Sequence, residues 1–385
     1  CFIFSKSTKK MASVIFSKNE LILGLQMKIH FINIETISVT KSIKIPEVLP
    51  KSKNGEKDDP DQPNKNSNKG PASPVIQQIG ISPNGEILAV TTCGEKCLLL
   101  YEISGNSAEL ISVRNLVRVS SALSFFRESS KLLVSDKTGD CYLFDLVDHT
   151  APGKWILGHL SIVMDVCCSP DEKFIITCDR DEKVKVTNYP NTHEIESYCL
   201  GHKEYVSSIQ LLPFDPDTYL LSVSGDKTIK IWKYKTGTKV HEIQMPAPGI
   251  KASLRRINEG VCHVAVLLLQ PKESVHIYEL KFAEGVFESR PLTNHCWAPA
   301  TVSNLCYAGS DLYVALARDN TLHIEVVEGT LRENRYRLKA LIQDLFKDDK
   351  ICELDDPSLW FKKKFDNVSE YLERKKRRVE EKNLR

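Results

Sequence analysis

Leu157-Gly158-His159 and Leu200-Gly201-His202 are one phrase written twice, 43 residues apart. Each Gly-His is followed by an apolar segment, a polar turn and a second apolar segment. The second copy closes on Ser224-Gly225-Asp226-Lys227-Thr228-Ile229-Lys230-Ile231-Trp232. Apolar and polar residues alternating over a run as short as 228–232 specify a strand with one face toward a neighbour. A period in the forties, opened by Gly-His and closed by an aromatic residue, is that of a four-stranded β-propeller blade.

The residues inside the period have a shared physical role. Asp226 lies in the turn before its strand, where a carboxylate accepts bonds from backbone N–H groups and from the histidine of Gly-His. His202, Ser222, Asp226 and Trp232 therefore form the internal hydrogen-bonded chain expected of a WD-repeat blade. The first copy supplies His159, Thr177 and Asp181 at similar offsets, with Thr187 in the slot of the tryptophan. Taken out of context these groups resemble a catalytic triad. The repeat accounts for all of them together, so they are expected to be framework.

Composition sets the number of blades. At about 40–45 residues per blade, the first 330 of 385 residues hold about seven. The predicted fold is all-β, a seven-bladed propeller over 11–330 with a helical, basic extension over 331–385. Residues 1–10 precede Met11, the first plausible initiator, and read as a gene-model extension outside the fold. A formal net charge of +2 leaves attraction to nucleic acid to local patches. The 12 cysteines contain no CxxC pair, a pattern of buried thiols in a reducing compartment rather than a disulfide scaffold. No apolar run approaches the roughly 20 residues of a membrane helix.

Along the chain, 14–16, 21–25 and 28–34 read as strands of a first blade. Residues 46–74 hold six prolines, five lysines, five acids and no aromatic, and are expected to be a disordered inter-blade loop. Blades resume over 79–101 and 122–144, with Tyr101 and Phe144 in the tryptophan slot. The two strong copies follow, and 257–280 and 302–327 complete seven. Asp136-Lys137-Thr138-Gly139-Asp140 resembles the phosphorylated-aspartate motif of ion-pumping ATPases, but its place one strand before Phe144 makes it a blade turn. Leu338, Leu341, Ile342 and Leu345 give 331–346 a helical stripe, and Phe365, Val368 and Leu372 do the same for 365–384. From 362 to 385 there are ten basic residues and five acids, centred on Arg374, Lys375, Lys376, Arg377 and Arg378. That run is a candidate nuclear localisation signal or RNA-backbone contact, beside the simpler reading of a solvated helix face.

Two segments carry a family resemblance. Gly158–Lys185, with its Asp179-Arg180-Asp181-Glu182-Lys183 turn, followed by Ile195-Glu196-Ser197-Tyr198-Cys199-Leu200-Gly201-His202, resembles the WD-repeat non-catalytic subunit of the eukaryotic tRNA (guanine-N(7)-)-methyltransferase, called Wuho in insects. Phe365-Asp366-Asn367-Val368-Ser369-Glu370-Tyr371-Leu372 is similar to that family's C-terminal motif. The match is dense from 74 to 232 and in the tail, and thin between them.

The resemblance implies a subunit that transfers no methyl group itself. It binds a Rossmann-fold methyltransferase, holds it active as a heterodimer, and the pair methylates a guanosine of the tRNA variable loop. S-adenosylmethionine belongs to the partner, this chain needing no cofactor or metal, and the complex is expected in the nucleus and also in the cytoplasm, off the membrane. The chain carries no G-x-G-x-x-G after a strand, P-loop, H-E-x-x-H or G-x-S-x-G. A propeller presents its inter-strand turns together on one face. With Asp181 engaged inside the blade, Arg180 and Lys183 point outward, and an arginine there suits bidentate pairing with a partner carboxylate. Asp179 and Glu182 flank them, and the resemblance places the turn of Lys137 on the same side. The alternatives are a general WD-repeat platform in genome maintenance or germline differentiation without an RNA role, and a propeller enzyme with acidic or metal-binding residues converging on its channel.

Overall fold

The computed structural model describes residues 13–361, apart from 18, 37, 48–73, 106, 129, 271–273, 298–299, 319–320, 331–334 and 343–356. They form seven four-stranded antiparallel sheets, each built from four strands consecutive in sequence and hydrogen-bonded side by side. Blades 1 to 7 span 13–44, 75–115, 120–158, 163–199, 206–244, 249–295 and 301–342. The first strand of each blade packs against the first strands of its two neighbours, so the seven surround one axis. Ser13–Ser17 lies between Val75–Ile81 and Thr301–Ala308, which closes the ring.

Sheets pack face to face because their middle strands are apolar on both faces. Leu98, Leu99 and Leu100 in blade 2, and Leu220 and Leu221 in blade 5, are buried to either side. At the seam between blades 7 and 1 each sheet keeps its own four strands. The join is made by side chains, Val14, Leu21, Leu23 and Ile32 against Tyr313, Ala315, Ile324 and Val326. The aromatic slot has the same register throughout the central blades. Tyr101 pairs with Leu88, Phe144 with Leu132, Thr187 with Ile175 and Trp232 with Leu220.

One predicted element differs. Part of the helix expected over 331–346 is a strand, Arg335–Ile342, which pairs with Thr321–Thr330 as the outer strand of blade 7. The sequence Arg335-Tyr336-Arg337-Leu338-Lys339-Ala340 alternates as well as it fits a 3.6 period. What decides is the open edge of Thr321–Thr330, whose unpaired backbone groups a fourth strand satisfies. The propeller therefore extends past residue 330 to 342. The segment 1–10, most of the 46–74 loop, and the whole tail from 362, including the basic run and the second helix, lie outside the described residues. No disulfide joins two of the described cysteines.

The inner strands enclose a channel of about 360 Å³, lined among others by Gln78, Ser121, Asp165, Ser208, Lys251 and Asn304. Its polar groups hold blades together. Asp165 accepts the backbone N–H of Val166 at 2.9 Å and that of Ile209, in the next blade, at 3.0 Å. Lys251 Nζ donates to Asn304 Oδ1 at 2.8 Å, joining blades 6 and 7. No helix among the described residues is long and apolar enough to cross a membrane, and none of their His, Cys, Asp and Glu side chains form a group of three placed for a metal ion.

Candidate partner-binding face

Gly-His sits at the end of one blade and serves the next. His202 follows the outer strand of blade 4, yet its Nδ1 lies 2.9 Å from Asp226 Oδ2 and its Nε2 2.7 Å from Ser222 Oγ, both in blade 5. Trp232 Nε1 donates to the same Ser222 oxygen at 2.8 Å. The indole can only donate, which leaves the serine hydroxyl to donate to His202 Nε2 and the histidine Nδ1–H to donate to Asp226. A neutral imidazole thus satisfies every member of the chain. Burial pushes the His202 pKa down despite the aspartate beside it. Burial acts to raise that of Asp226, but bonds from His202, Thr228 and the Lys203 N–H outweigh it and hold the carboxyl well below the usual range.

Blade 4 builds the chain with a shift of two residues. His159 Nδ1 lies 2.9 Å from Asp179 Oδ2, and its Nε2 lies 2.7 Å from Thr177 Oγ1. Asp179, not Asp181, is the internal carboxylate, although Asp181 aligns with Asp226 by register. The reason is local: Asp179 ends the strand Phe174–Asp179, and its other oxygen accepts the Asp181 and Lys183 N–H groups at 2.8 and 3.1 Å. One carboxylate therefore closes the turn and anchors the histidine. In blade 5 the matching position is Ser224, whose hydroxyl accepts the Asp226 N–H and donates to the Glu204 carbonyl, so Asp226 reaches the histidine there. Asp179 is buried and presents nothing to a partner, which corrects its assignment to the outward set.

With several buried histidines kept neutral, stability depends on pH. Burial lowers the pKa of His159, His202, His241 and His295, and that of His263 falls to about 4. In the unfolded chain these groups protonate near ~6.5. Between that value and the lower folded value the unfolded state binds more protons, so stability is complete above pH ~6.5 and declines as pH falls. The thermal midpoint is expected to drop steadily from pH 7 to pH 4.5. A midpoint constant over that range would show that these imidazoles are not held neutral.

Three successive blades present equivalent turns at one edge. The backbone N–H of Lys137, Arg180 and Gly225 donates to the carbonyl of Val119, Ile162 and Tyr205, at 3.2, 3.0 and 2.9 Å. The residue two places on is left-handed in each: Gly139 at φ 108°, Glu182 at 75° and Lys227 at 66°. A non-glycine there costs on the order of 1 kcal/mol; the bonds to Asp179 hold it in blade 4, and those of Ser224 and Asp226 in blade 5. In blade 3 Asp136 Oδ1 takes the N–H groups of Thr138, Gly139 and Asp140, so the ATPase-like string is a turn.

The sequence-predicted cations thus share an edge of the ring. Lys183 is exposed, while Arg180, Asp181, Glu182 and Lys137 are half-buried. Arg180 Nε is buried without a hydrogen-bond partner among the described residues. Such a guanidinium carries a desolvated donor and suits an acceptor brought by another molecule. Beside it are residues that periodicity missed: Leu160, fully exposed between Gly-His and the Ile162 that binds Arg180, and Leu200, exposed next to Cys199, the pairing partner of Val184. Leu160 directly follows His159, and Leu200 opens the second Gly-His phrase, where its counterpart Leu157 in the first is buried. Exposed leucines thus precede the first strand and follow the last strand of the blade whose middle turn carries Arg180, a composition of an interface rather than of a solvated edge.

Comparison with known proteins bears on this face. A family model described as the tRNA methyltransferase TRM82 WD40 domain matches residues 35–154 and 149–276. The tRNA (guanine-N(7)-)-methyltransferase non-catalytic subunit wuho of Drosophila mojavensis is 39% identical over 378 residues, covering 96% of this chain and 98% of its own length. The protein of that name from Drosophila pseudoobscura pseudoobscura is 39% identical over 396 residues, with 96% and 98% covered. That from Drosophila melanogaster is 41% identical over 323 residues, with 80% and 76% covered. Among solved structures, a chain of the mitotic checkpoint complex superposes with a TM-score of 0.59 at 12% identity, over 82% of this chain and 91% of that one. That likeness shows the fold alone.

Proposed function

Because the chain belongs to the family of non-catalytic subunits of tRNA (guanine-N(7)-)-methyltransferase, we propose that it is the scaffold of a methyltransferase heterodimer. It binds the catalytic subunit through the edge of blades 3 and 4 and stabilises its active shape. The pair forms N(7)-methylguanosine in the tRNA variable loop. The methyl donor S-adenosylmethionine is bound by the partner, and the complex works in the nucleus and in the cytoplasm. The observation that carries the interface is Arg180: its turn is fixed by Asp179, its Nε is buried without a partner among the described residues, and exposed leucines stand at the two ends of its blade's strand order. The relatives' shared designation as non-catalytic subunits favours this reading over a general interaction platform without an RNA role. Co-expression with the methyltransferase subunit of the same genome is expected to yield a one-to-one complex that methylates tRNA, while this chain alone does not. Recovery of a nuclease or ubiquitin-ligase component in place of a methyltransferase would support the platform instead.

The basic run contributes the RNA contact. Each phosphate neutralised changes the slope of log affinity against log salt by about 0.7 to 0.9. Replacing Arg374, Lys375, Lys376, Arg377 and Arg378 by glutamine is expected to weaken tRNA binding by the complex at physiological salt and to flatten that slope by up to roughly 3.5–4.5. If affinity and slope stay unchanged while nuclear accumulation is lost, the run is a targeting signal only.

A further inference from the structure

Leu359 is 71% exposed, yet the residues after it are held firmly at the edge of blade 5. The turn position that carries Lys137 in blade 3 and Arg180 in blade 4 is Gly225 in blade 5. A Cβ on Gly225 would stand 2.4 Å from the ring of Tyr205, which lies over the bare backbone, fully buried. The 3-10 turn Pro357–Trp360 meets that ring from far along the chain. Trp360 packs edge to face on Tyr205 at 5.4 Å between ring centres, and Phe361 does so at 5.0 Å. Pro357 is buried at the other end of the turn. A turn anchored on both sides thus holds a leucine out to solvent. Leu359 also extends a row. The loops leading into blades 3, 4 and 5 each expose one large aliphatic side chain: Val117, Leu160 and Leu200. Those loops supply the Val119, Ile162 and Tyr205 carbonyls that fix the turns of Lys137, Arg180 and Gly225. In the loop leading into blade 6, Met245 and Ala247 are buried instead. Trp360, Lys137 and Ile162 line one channel, so the turn adjoins the edge that carries Arg180.

We propose that the turn 357–361 completes the binding face for the methyltransferase subunit, with Leu359 as the contact and Tyr205, Trp360 and Phe361 as the clasp that presents it. The occupant is a protein, because a row of aliphatic side chains buries against apolar side chains and finds none in a sugar-phosphate backbone. Continuity with the edge of Lys137 and Arg180 says which protein. A leucine on a turn already fixed by packed rings needs little further ordering on binding, so most of its burial counts toward affinity. Blades 3 and 4 contribute charge at their turns, and blade 5, whose turn is bare, contributes an apolar contact borrowed from the end of the described chain.

The inference rests on the methyltransferase reading for its partner, and its test separates the two. Leu359→Asp in the full chain is expected to leave the thermal midpoint of this chain alone unchanged, since the side chain is exposed there. It should weaken binding of the methyltransferase subunit about tenfold or more. Trp360→Ala with Phe361→Ala releases the turn and is expected to weaken binding to a similar degree. Leu359→Asp added to that pair should then cost less than about twofold, because the leucine is no longer held on the face. In Leu359→Cys the added thiol, followed by peptide mass spectrometry, should react with iodoacetamide in this chain alone and be protected in the complex. Parent-like affinity in Leu359→Asp, or a thiol as reactive in the complex as outside it, overturns the contact. Parent-like affinity in the aromatic variant, or losses that add in full, overturns the clasp. A dimer of this chain that Leu359→Asp disperses makes the surface a self-contact and overturns the proposal as well. A parent chain that captures no methyltransferase sinks the functional reading and this contact with it, whereas a parent and a Leu359→Asp variant that bind equally sink the contact alone.

Discussion

Arg180→Glu is expected to abolish co-purification with the methyltransferase subunit while leaving the propeller folded. The fold survives because the turn is held by groups that the substitution leaves in place: Asp179 Oδ1 on the Asp181 and Lys183 N–H groups, and the backbone bond from residue 180 to Ile162. The complex fails for a separable reason. A desolvated interface arginine costs ~2–4 kcal/mol on truncation, much of it from the partner group left unpaired. Reversing the charge adds repulsion toward the same acceptor. A loss beyond a hundredfold in affinity is expected, since about 1.4 kcal/mol is tenfold. Lys183→Glu, on an exposed rim position, should cost far less and act mainly on the association rate and its salt dependence. Titration calorimetry or pull-down of the complex, paired with thermal unfolding of this chain alone, reads both halves. A normal complex with normal tRNA methylation in Arg180→Glu would place the interface elsewhere on the ring.

How much of this was legible in the sequence differs from residue to residue, for physical reasons. The blade period shows because it comes from strand alternation and from side chains with one task each: Trp232, Ser222 and His202 occupy the hydrogen-bonded chain expected of them. Asp181 misled because register alone cannot tell which of two aspartates two residues apart reaches the histidine. Asp179 wins by sitting at the strand end, where one carboxylate serves both turn and ring. The outer strand Arg335–Ile342 was hidden because its apolar residues fit both periods, and only the open edge beside it chooses. The outward side of Leu160 and Leu200 and the packing of Tyr205 on Gly225 are not set by the period. Exposure, and contact between residues 205, 225 and 360, exist only once the ring has closed.

Trp232→Ala should give the largest loss of stability of any single change in the blade framework. The indole is fully buried, and it packs with Leu220 of its own sheet and with Ile176, Cys178, Val184 and Val186 of the sheet before it. Truncating a buried aromatic costs ~3–5 kcal/mol through lost burial and the cavity left behind. The Nε1–H bond to Ser222 goes as well, breaking the order of donors that runs on to His202 and Asp226. Against a net stability of about 5–15 kcal/mol, that is roughly a fifth or more. At ~2–3 °C per kcal/mol the midpoint should fall roughly 6–15 °C. Trp232→Phe separates the two contributions, since it keeps most of the packing and removes the donor, and it should cost only ~1–2 kcal/mol. Blade 4 shows that the slot tolerates a small residue when its surroundings suit it: Thr187 is buried there, and His159 still bonds Thr177 and Asp179. A Trp232→Ala protein as stable as the parent would mean that blade 5 repacks in the same way. Its tryptophan would then be a mark of the repeat and not a support of the ring.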